Sequence, residues 1–486
     1  MAASSLPLFI IFGYFFVLLA LAWWAGRRAD NDSFFIGNRQ SNWMVVAFGM
    51  VGTALSGVTF ISVPGTVGTA GFTYMQVVLG NVIGYAIVAL VLLPLYYRLQ
   101  LTSIYVYLDK RFGITAHQTG AWLFIVSRTL GSTARLYLVV NVMDLLVTGP
   151  AGIPFWVSAA VTLLMIWGYT FQGGVRTIVI TDTLQTTFML GGLGVCIWYL
   201  ADLLAPAGGA WALVEASDTT RMFNTDPLAA GFWVKQILGG AAIAVAMLGL
   251  DQDMMQKNIS VPNARDSQKN MAVFSAILIV VNLAFLVLGG LLWVFAQQHG
   301  VAARGDELFP AIVMGHLPQW VQIVFFIALI AASFSSADGS LTALTSSYCI
   351  DVKGFDKRDD LDAAAKRRIR LRAHLAFALV FFLLCLIFKW LADRSIINTI
   401  LVLAGYTYGP LLGLFCFGLF TNRGIRSGSA LGAAVIAAPA ICYALQKWLA
   451  ANPAGYQIGI ELMILNAALT FALLWVTSKP GSGKQI

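Results

Sequence analysis

Along this chain, apolar residues come in long blocks separated by short polar links. A helix needs about 20 mostly apolar residues to cross the hydrocarbon core of a bilayer. Blocks of that size fall at 6–25, 44–70, 75–97, 119–147, 153–171, 178–204, 231–250, 270–298, 319–349, 373–391, 396–420, 427–448 and 457–477. They predict an all-α polytopic membrane protein of about 13 transmembrane helices, with its termini on opposite sides.

The links give the orientation. Arg27, Arg28 and Arg39 lie in the first, and alternate links then hold Arg98, Lys110 and Arg111; Arg176; Lys257, Arg265 and Lys269; the stretch Lys353 to Arg372 with Lys366, Arg367, Arg368 and Arg370; and Arg423 with Arg426. Placing these links in the cytoplasm puts roughly 22 of the 30 Lys and Arg inside and about six outside, the bias that membrane insertion favours. The N-terminus is then outside and the C-terminus cytoplasmic. Of the two longest outer links, 205–230 and 299–318, the second (Asp306, Glu307, Leu308, then Ala311 to His316) reads as a short surface helix or lid.

Composition narrows the function. Of 486 residues, 59% are hydrophobic and 11% charged, against the ~25% charged of a soluble domain. Too little charge remains to cover a surface in water, which excludes a soluble enzyme, a secreted disulfide scaffold and a DNA-binding protein despite the net charge of +8. Cys196, Cys349, Cys385, Cys416 and Cys442 form no close pair and read as free thiols. His117, His299, His316 and His374 have no ligand spacing that a membrane enzyme would need. Pro480-Gly481-Ser482-Gly483-Lys484 faintly echoes a phosphate loop but lacks the full spacing and a preceding strand. No nucleotide or nucleic acid is expected as a partner, only the lipid bilayer and transported species. The expected form is a monomer in the plasma membrane, the inner membrane of a bacterium.

Two helices look deliberately broken. The second block carries Gly49, Gly52, Gly57, Pro64, Gly65 and Gly68 with Thr53, Ser56 and Thr59 among them; 231–250 carries Gly231, Gly239, Gly240 and Gly249. Backbone groups freed inside a bilayer must be satisfied by a neighbour, a hydroxyl or an ion. Glycines also serve close helix packing, and it is the hydroxyl cluster that favours a site. The broken helices lie five spans apart and cross in opposite directions, the pattern of an inverted repeat.

Candidate chemistry concentrates in Ala332-Ser333-Phe334-Ser335-Ser336-Ala337-Asp338. On a helix the Ala332 carbonyl points to the positions of Ser335 and Ser336, a hard-oxygen corner suited to Na+. Carbonyls of Gly52 and Leu55 opposite would complete five ligands. Alternatively, both hydroxyls bond back one turn, as serines in membrane helices commonly do. Asp182 and Asp338 are intramembrane acids at similar depth, open to sharing a second cation, carrying a proton or neutralising an arginine. Arg128 and Arg135 share a helix face; Arg128 reads as the structural partner of Asp338 or Asp182, and Arg135 as a receptor for a substrate carboxylate.

These segments, in order, resemble the sodium/solute symporter family, whose members share the LeuT-type fold. The resemblance runs through Ser33 to Arg39, Gly52-Thr53-Ala54-Leu55-Ser56-Gly57 with Pro64-Gly65, and Gly173-Gly174-Val175-Arg176 with Thr181-Asp182 and Gln185. It continues through Asp251-Gln252 with Gln256, Ser335-Ser336, and Gly405-Tyr406-Thr407-Tyr408-Gly409-Pro410. It implies an ancillary N-terminal helix and link (1–43), a first five-helix repeat (44–204), an outer loop (205–230), an inverted second repeat (231–420) and two ancillary helices with a tail (421–486). It also implies Na+-coupled uptake of a small organic solute by alternating access. The main Na+ site would comprise Gly52, Leu55, Ala332, Ser335 and Ser336, with a possible second ion at Asp182 and Asp338. Members with a second sodium site carry hydroxyls where this chain has Asp338 and Gly339, and proline-transporting members carry Asp where it has Ala54. The implied substrate contacts are Ser56, Thr59, Gln76, Arg135, Gln236 and Tyr406, with an acidic sugar or monocarboxylate favoured. A neutral sugar or amino acid, a proton-coupled symporter using Asp182 and Asp338, and a transporter-like sensor are the alternatives.

Overall fold

The computed structural model describes residues 6–26, 34, 35, 37–171, 174–207, 209–358, 360–391, 396–452 and 455–480. Arg27, Arg28, Ser33, Ile36, Gly173, the Arg176 side chain and the 481–484 stretch lie outside the described residues.

Each apolar block falls on helix. The helices that matter below are α1 (Leu6–Gly26), α2 (Trp43–Ala54), α3 (Gly57–Ala70), α4 (Tyr74–Ile87), α5 (Ile114–Met143), α6 (Phe155–Thr170), α7 (Gly174–Leu204), α8 (Trp233–Ala244), α9 (Gln252–Ile259), α10 (Ala264–His299), α11 (Gln319–Ser347), α12 (Ala363–Leu391), α13 (Ile396–Phe420), α14 (Gly428–Ala450) and α15 (Leu462–Thr477). Among the described residues, length and composition alone qualify eight helices as membrane-crossing, or nine if the pair Trp233–Gly249 and Gln252–Ile259, bent by 64°, is one span. The other blocks are the shorter apolar helices Phe12–Ala25, Trp43–Ala54, Phe155–Thr170 and Leu462–Thr477. Large apolar side chains face outward, Trp390 85% and Val476 81% exposed, as a lipid solvent allows.

The contacts repeat in pairs, as two equivalent sets of five helices require. α3 lies on α10 while α8 lies on α4; α5 lies on α13 while α11 lies on α7; α5 lies on α12 while α11 lies on α6. Numbering the sets from the two broken helices, each contact is the other's counterpart with the halves exchanged. This is the LeuT-type arrangement expected, with α1 before it and α14 and α15 after it.

The α4–α8 contact shows what permits the close approach. Helices in lipid gain little from burying apolar surface, so small residues that bring backbones together do the packing. A Cβ built on Gly84 would stand 2.5 Å from both the Ala241 carbonyl oxygen and the Ala244 Cβ, and one on Gly240 2.5 Å from the Val77 carbonyl oxygen. The 299–318 link also folds as a helix, Leu308–His316, but it is docked rather than superficial. Phe309 is fully buried, its ring 5.5 Å from that of Phe60 on α3 and 4.8 Å from that of Phe325 on α11.

Overpacking at Gly84 tests this contact. Gly84→Val is expected to cost about 1–3 kcal/mol, read as a lower thermal midpoint in detergent. An unchanged midpoint would mean that α4 and α8 do not approach this closely.

Candidate functional site

The two breaks leave the same backbone groups exposed and treat them differently. α2 ends where the Leu55 N–H donates to the Val51 carbonyl at 2.9 Å, and α3 begins where the Phe60 N–H donates to Ser56 at 3.1 Å. Leu55 (φ −92, ψ 93) and Ser56 (φ −83, ψ 173) are extended between them, so the carbonyls from Gly52 to Leu55 have no helical amide to receive. At the second break, a π-turn over Val245–Gly249 runs into Leu250 and an extended Asp251. There Tyr96 donates its hydroxyl to the Gly249 carbonyl (3.0 Å) and Tyr105 to the Leu250 carbonyl (2.9 Å). Among the described residues no side chain does this for Gly52 or Leu55.

Opposite the open break stands the hydroxyl segment of α11. Ser333, Ser340 and Thr345 each donate to a carbonyl one turn back at 2.7 Å, the habit expected of hydroxyls in apolar helices. Ser335 and Ser336 do not, and the fully buried Ser335 Oγ has no partner among the described residues. A Cβ on Gly52 would stand 3.0 Å from Ser335 Oγ and would also run into Thr186 Oγ1, another buried oxygen without a partner. Glycine at 52 is therefore required by the approach of α2 to α7 and α11. Neutral oxygens converging on open carbonyls fit Na+. Thr186 was missed in the sequence; its spacing of four from Asp182, on the same helix face, was the available signal.

The acids and bases are arranged otherwise than expected. Arg128 pairs with Asp251 (3.2 Å) and closely with Asp253, and donates to Ser340 Oγ (2.9 Å). Its partners are therefore not Asp338 or Asp182, because α9 turns its first residues toward α5. Tyr408 donates to Asp251 at 2.7 Å. Lys257, expected in a cytoplasmic link, lies on α9 with only 2% exposure. The sequence placed it in a cytoplasmic link because 251–259 is polar; the bent half-helix folds that polarity into the protein. Its Nζ lies 2.8 Å from Asp182 Oδ2, 3.3 Å from Asp253 Oδ1 and 2.5 Å from Thr53 Oγ1, which itself donates to Asp182 Oδ2 (2.9 Å). Asp338 accepts from Tyr169 OH at 2.8 Å and from the Gly339 N–H at 2.5 Å. Arg111, also expected at the cytoplasmic surface, is buried and donates to the carbonyls of Gly418 (3.2 Å) and Thr421 (2.5 Å) where α13 ends, a favourable place for a cation.

Next to the open break lies a cavity of about 150 Å³, lined by Thr53, Ala54, Ser56, Thr59, Tyr74, Asn81, Arg128 and Arg135 among others. Ser56, Thr59 and Arg135 of the expected substrate residues reach it. Asn81 brings a buried carbonyl oxygen without a partner. Arg135 makes no ion pair or hydrogen bond among the described residues, in contrast to Arg128 nearly two turns away on the same face. Three expected residues do not line it. Gln76 donates to the Thr73 carbonyl (2.9 Å) and accepts from the Asn224 N–H (3.3 Å), holding the 205–230 loop. Gln236 donates to the Ala230 carbonyl (3.0 Å) at the start of α8. Tyr406 turns toward α14, donating to Gln446 and lining a separate groove with Pro439. Helical phase explains the last: it is Tyr408, two residues on, that faces inward.

A family model described as the sodium:solute symporter family matches residues 34–436. The sodium/sialic acid symporter SiaT of Proteus mirabilis is 23% identical over 456 residues, covering 89% of this chain and 88% of that protein. Sodium-coupled monocarboxylate transporter 1 of Homo sapiens is 24% identical over 430 residues, covering 84% and 67%. The solved structure of a Na+-coupled sialic acid symporter in a substrate-bound outward-open state superposes with a TM-score of 0.82 at 20% identity, covering 99% of each chain, which shows the fold.

Removing one member of the charge network should be costly whatever is transported. Arg128→Met leaves Asp251 and Asp253 buried without their counter-charge and is expected to cost about 3–5 kcal/mol. A further Asp253→Asn change should restore part of the lost thermal midpoint; strictly additive losses would mean that the two side chains are not coupled.

Proposed function

Since the chain belongs to the sodium:solute symporter family, and so to the sodium-coupled symporters of multi-pass membranes, we propose that it carries Na+ together with a small carboxylate-bearing solute into the cell by alternating access. The Na+ site we propose consists of the carbonyls of Gly52, Leu55 and Ala332 and the hydroxyls of Ser335 and Ser336. One observation carries this reading. Among the described residues, the first break keeps its Gly52 and Leu55 carbonyls free of side-chain donors where the second does not, and the Ser335 hydroxyl facing it has no partner.

Arg135 supports the solute class. A guanidinium beside a partly open cavity of mixed polarity, with no acid paired to it among the described residues, is poised for a bidentate carboxylate, while Ser56, Thr59 and the Asn81 amide supply hydrogen bonds. A cavity of about 150 Å³ is of the size that holds a benzene-sized guest, which favours a monocarboxylate over an acidic sugar in this conformation. The membrane is the plasma membrane, with the N-terminus outside and the C-terminus in the cytoplasm, on the charge bias of the links.

Coupling requires that Na+ bind the outward-facing state better than the inward one. The membrane potential then adds about 2.3 kcal/mol per charge per 100 mV toward inward release. Two measurements test the reading. Ser335→Ala/Ser336→Ala should abolish the rise in thermal midpoint that NaCl, but not KCl at equal ionic strength, gives the wild type; a rise kept intact would remove these hydroxyls from the ion site. Arg135→Gln should weaken stabilisation by short monocarboxylates in Na+ by about 2–5 kcal/mol while leaving the effect of Na+ alone; equal carboxylate binding would assign Arg135 a structural role.

A further inference from the structure

We propose that the cleft between the ends of α5, α11 and α12 binds one anionic phospholipid, its phosphate at the basic rim and an acyl chain along the floor. The proposal is independent of the ion and solute sites, and the charge bias of the links puts the cleft in the cytoplasmic leaflet.

The cleft has a volume of about 680 Å³. α11 ends in the π-turn Tyr348–Val352, so Tyr348 lies deeper in the membrane than Lys353. α12 enters beside it, so Arg372 lies one turn nearer the cytoplasm than Ala376 and Phe377. Trp122, 48% exposed, sits about 12 Å along α5 from its start at Ile114. The cleft is therefore basic at its cytoplasmic end, with Lys353, Arg358 and Arg372, and aromatic at its deeper end, with Trp122, Tyr348 and Phe377. The rings of Tyr348 and Phe377 meet edge to face at 6.2 Å and tie α11 to α12. Along the same wall α12 contributes only Ala373 and Ala376, which leaves width for a chain.

Bases in a cytoplasmic link need no ligand, since membrane insertion alone favours them there. Their partners separate the two cases. Lys357 pairs with Asp109 at 2.7 Å, and Lys366 donates to the Phe355 carbonyl at 3.1 Å. Arg358 holds Asp360 through two bonds of 2.6 and 2.7 Å. Lys353 and Arg372 make no ion pair or hydrogen bond among the described residues; the Lys353 Nζ faces the Tyr348 ring, 5.6 Å from its centroid. Among the described residues no acid lines the cleft.

Two such bases above an aromatic floor fit a phosphate joined to hydrocarbon. A free phosphate would meet the bases and gain nothing from Trp122, Tyr348 and Phe377. A zwitterionic lipid would fill the floor but carry its own cation toward the bases. An anionic phospholipid satisfies both ends, as headgroups do in basic pockets between membrane helices. Bound there, it bridges α12 to α11, the helix that carries Ser335 and Ser336.

The test measures lipid binding to the delipidated full-length protein by native mass spectrometry. Dioleoylphosphatidylglycerol should fill one saturable site, about ten-fold tighter than dioleoylphosphatidylcholine. Lys353→Gln/Arg372→Gln should weaken the anionic lipid about 30-fold, at about five-fold per base. Arg367→Gln/Arg368→Gln removes as much charge from positions outside the cleft and should leave binding unchanged. Ala376→Phe, which narrows the cleft and keeps its charge, should weaken both lipids. All five residues are exposed, so the variants keep the fold. Inorganic phosphate, added as a competitor, should not displace the lipid. Equal affinity for the two lipids, or equal losses in the two double variants, would reduce the effect to diffuse attraction and overturn the site. Displacement by phosphate, or full binding in Ala376→Phe, would overturn the lipid as its occupant.

Discussion

Inside a bilayer a backbone amide or carbonyl without a partner costs several kcal/mol, because no water is there to replace it. Everything distinctive about this protein follows from breaking two helices under that constraint. At Gly249 and Leu250 the freed carbonyls are closed by two tyrosine hydroxyls from the segment after α4. At Gly52 and Leu55 no side chain among the described residues does so. Two sets of helices with equivalent contacts thus differ at their breaks, and that asymmetry separates a closed break from an open one.

The second break has a different occupation. Its short helix α9 opens with Asp251 and Asp253 and ends its charged run with Lys257, all buried. Burying so many charges stabilises little by itself, since desolvation offsets most of the attraction. What it fixes is geometry: Arg128 on α5, Tyr408 on α13, Thr53 on α2 and Asp182 on α7 all meet α9 through directed bonds. Arg135, a near neighbour on the same helix face as Arg128, stands outside this web. A half-buried base with no ion pair among the described residues is what an anion brought from outside would need.

Much of this was legible in the chain. The apolar blocks fell on helices, because a run of about 20 apolar residues has few other uses, and the hydroxyl pair opposite a glycine-rich helix stood out because both features are costly in lipid. Where sequence and structure differ, composition did not show which way a side chain turns or what holds it. Tyr406 has the wrong helical phase, while Gln76 and Gln236 bond near their helix starts to backbone of the 205–230 loop. Lys257 and Arg111 looked like cytoplasmic charges because a polar half-helix folded inward and a helix-end clamp resemble a loop when only composition is visible. Asp253 and Thr186 were passed over beside residues with clearer motifs. Nothing local marks a threonine as lacking a partner; that is a property of the helices around it.

The arrangement also suggests why ion and solute should bind together. The residues of the open break serve both: the backbone of Gly52 and Leu55 faces the proposed ion position, while Thr53, Ala54 and Ser56 line the cavity beside Arg135. An extended two-residue joint between helix ends has few bonds to hold it. An ion gathering its carbonyls would restrict the same φ and ψ that aim Ser56 at the solute. Whichever ligand arrives first bears part of the ordering cost that the second would otherwise bear, which is positive coupling without a relay between distant sites. The Lys257 clamp on Thr53 sets the limit of that ordering, since it fixes the α2 side of the joint and leaves Leu55 and Ser56 as the part still free to respond.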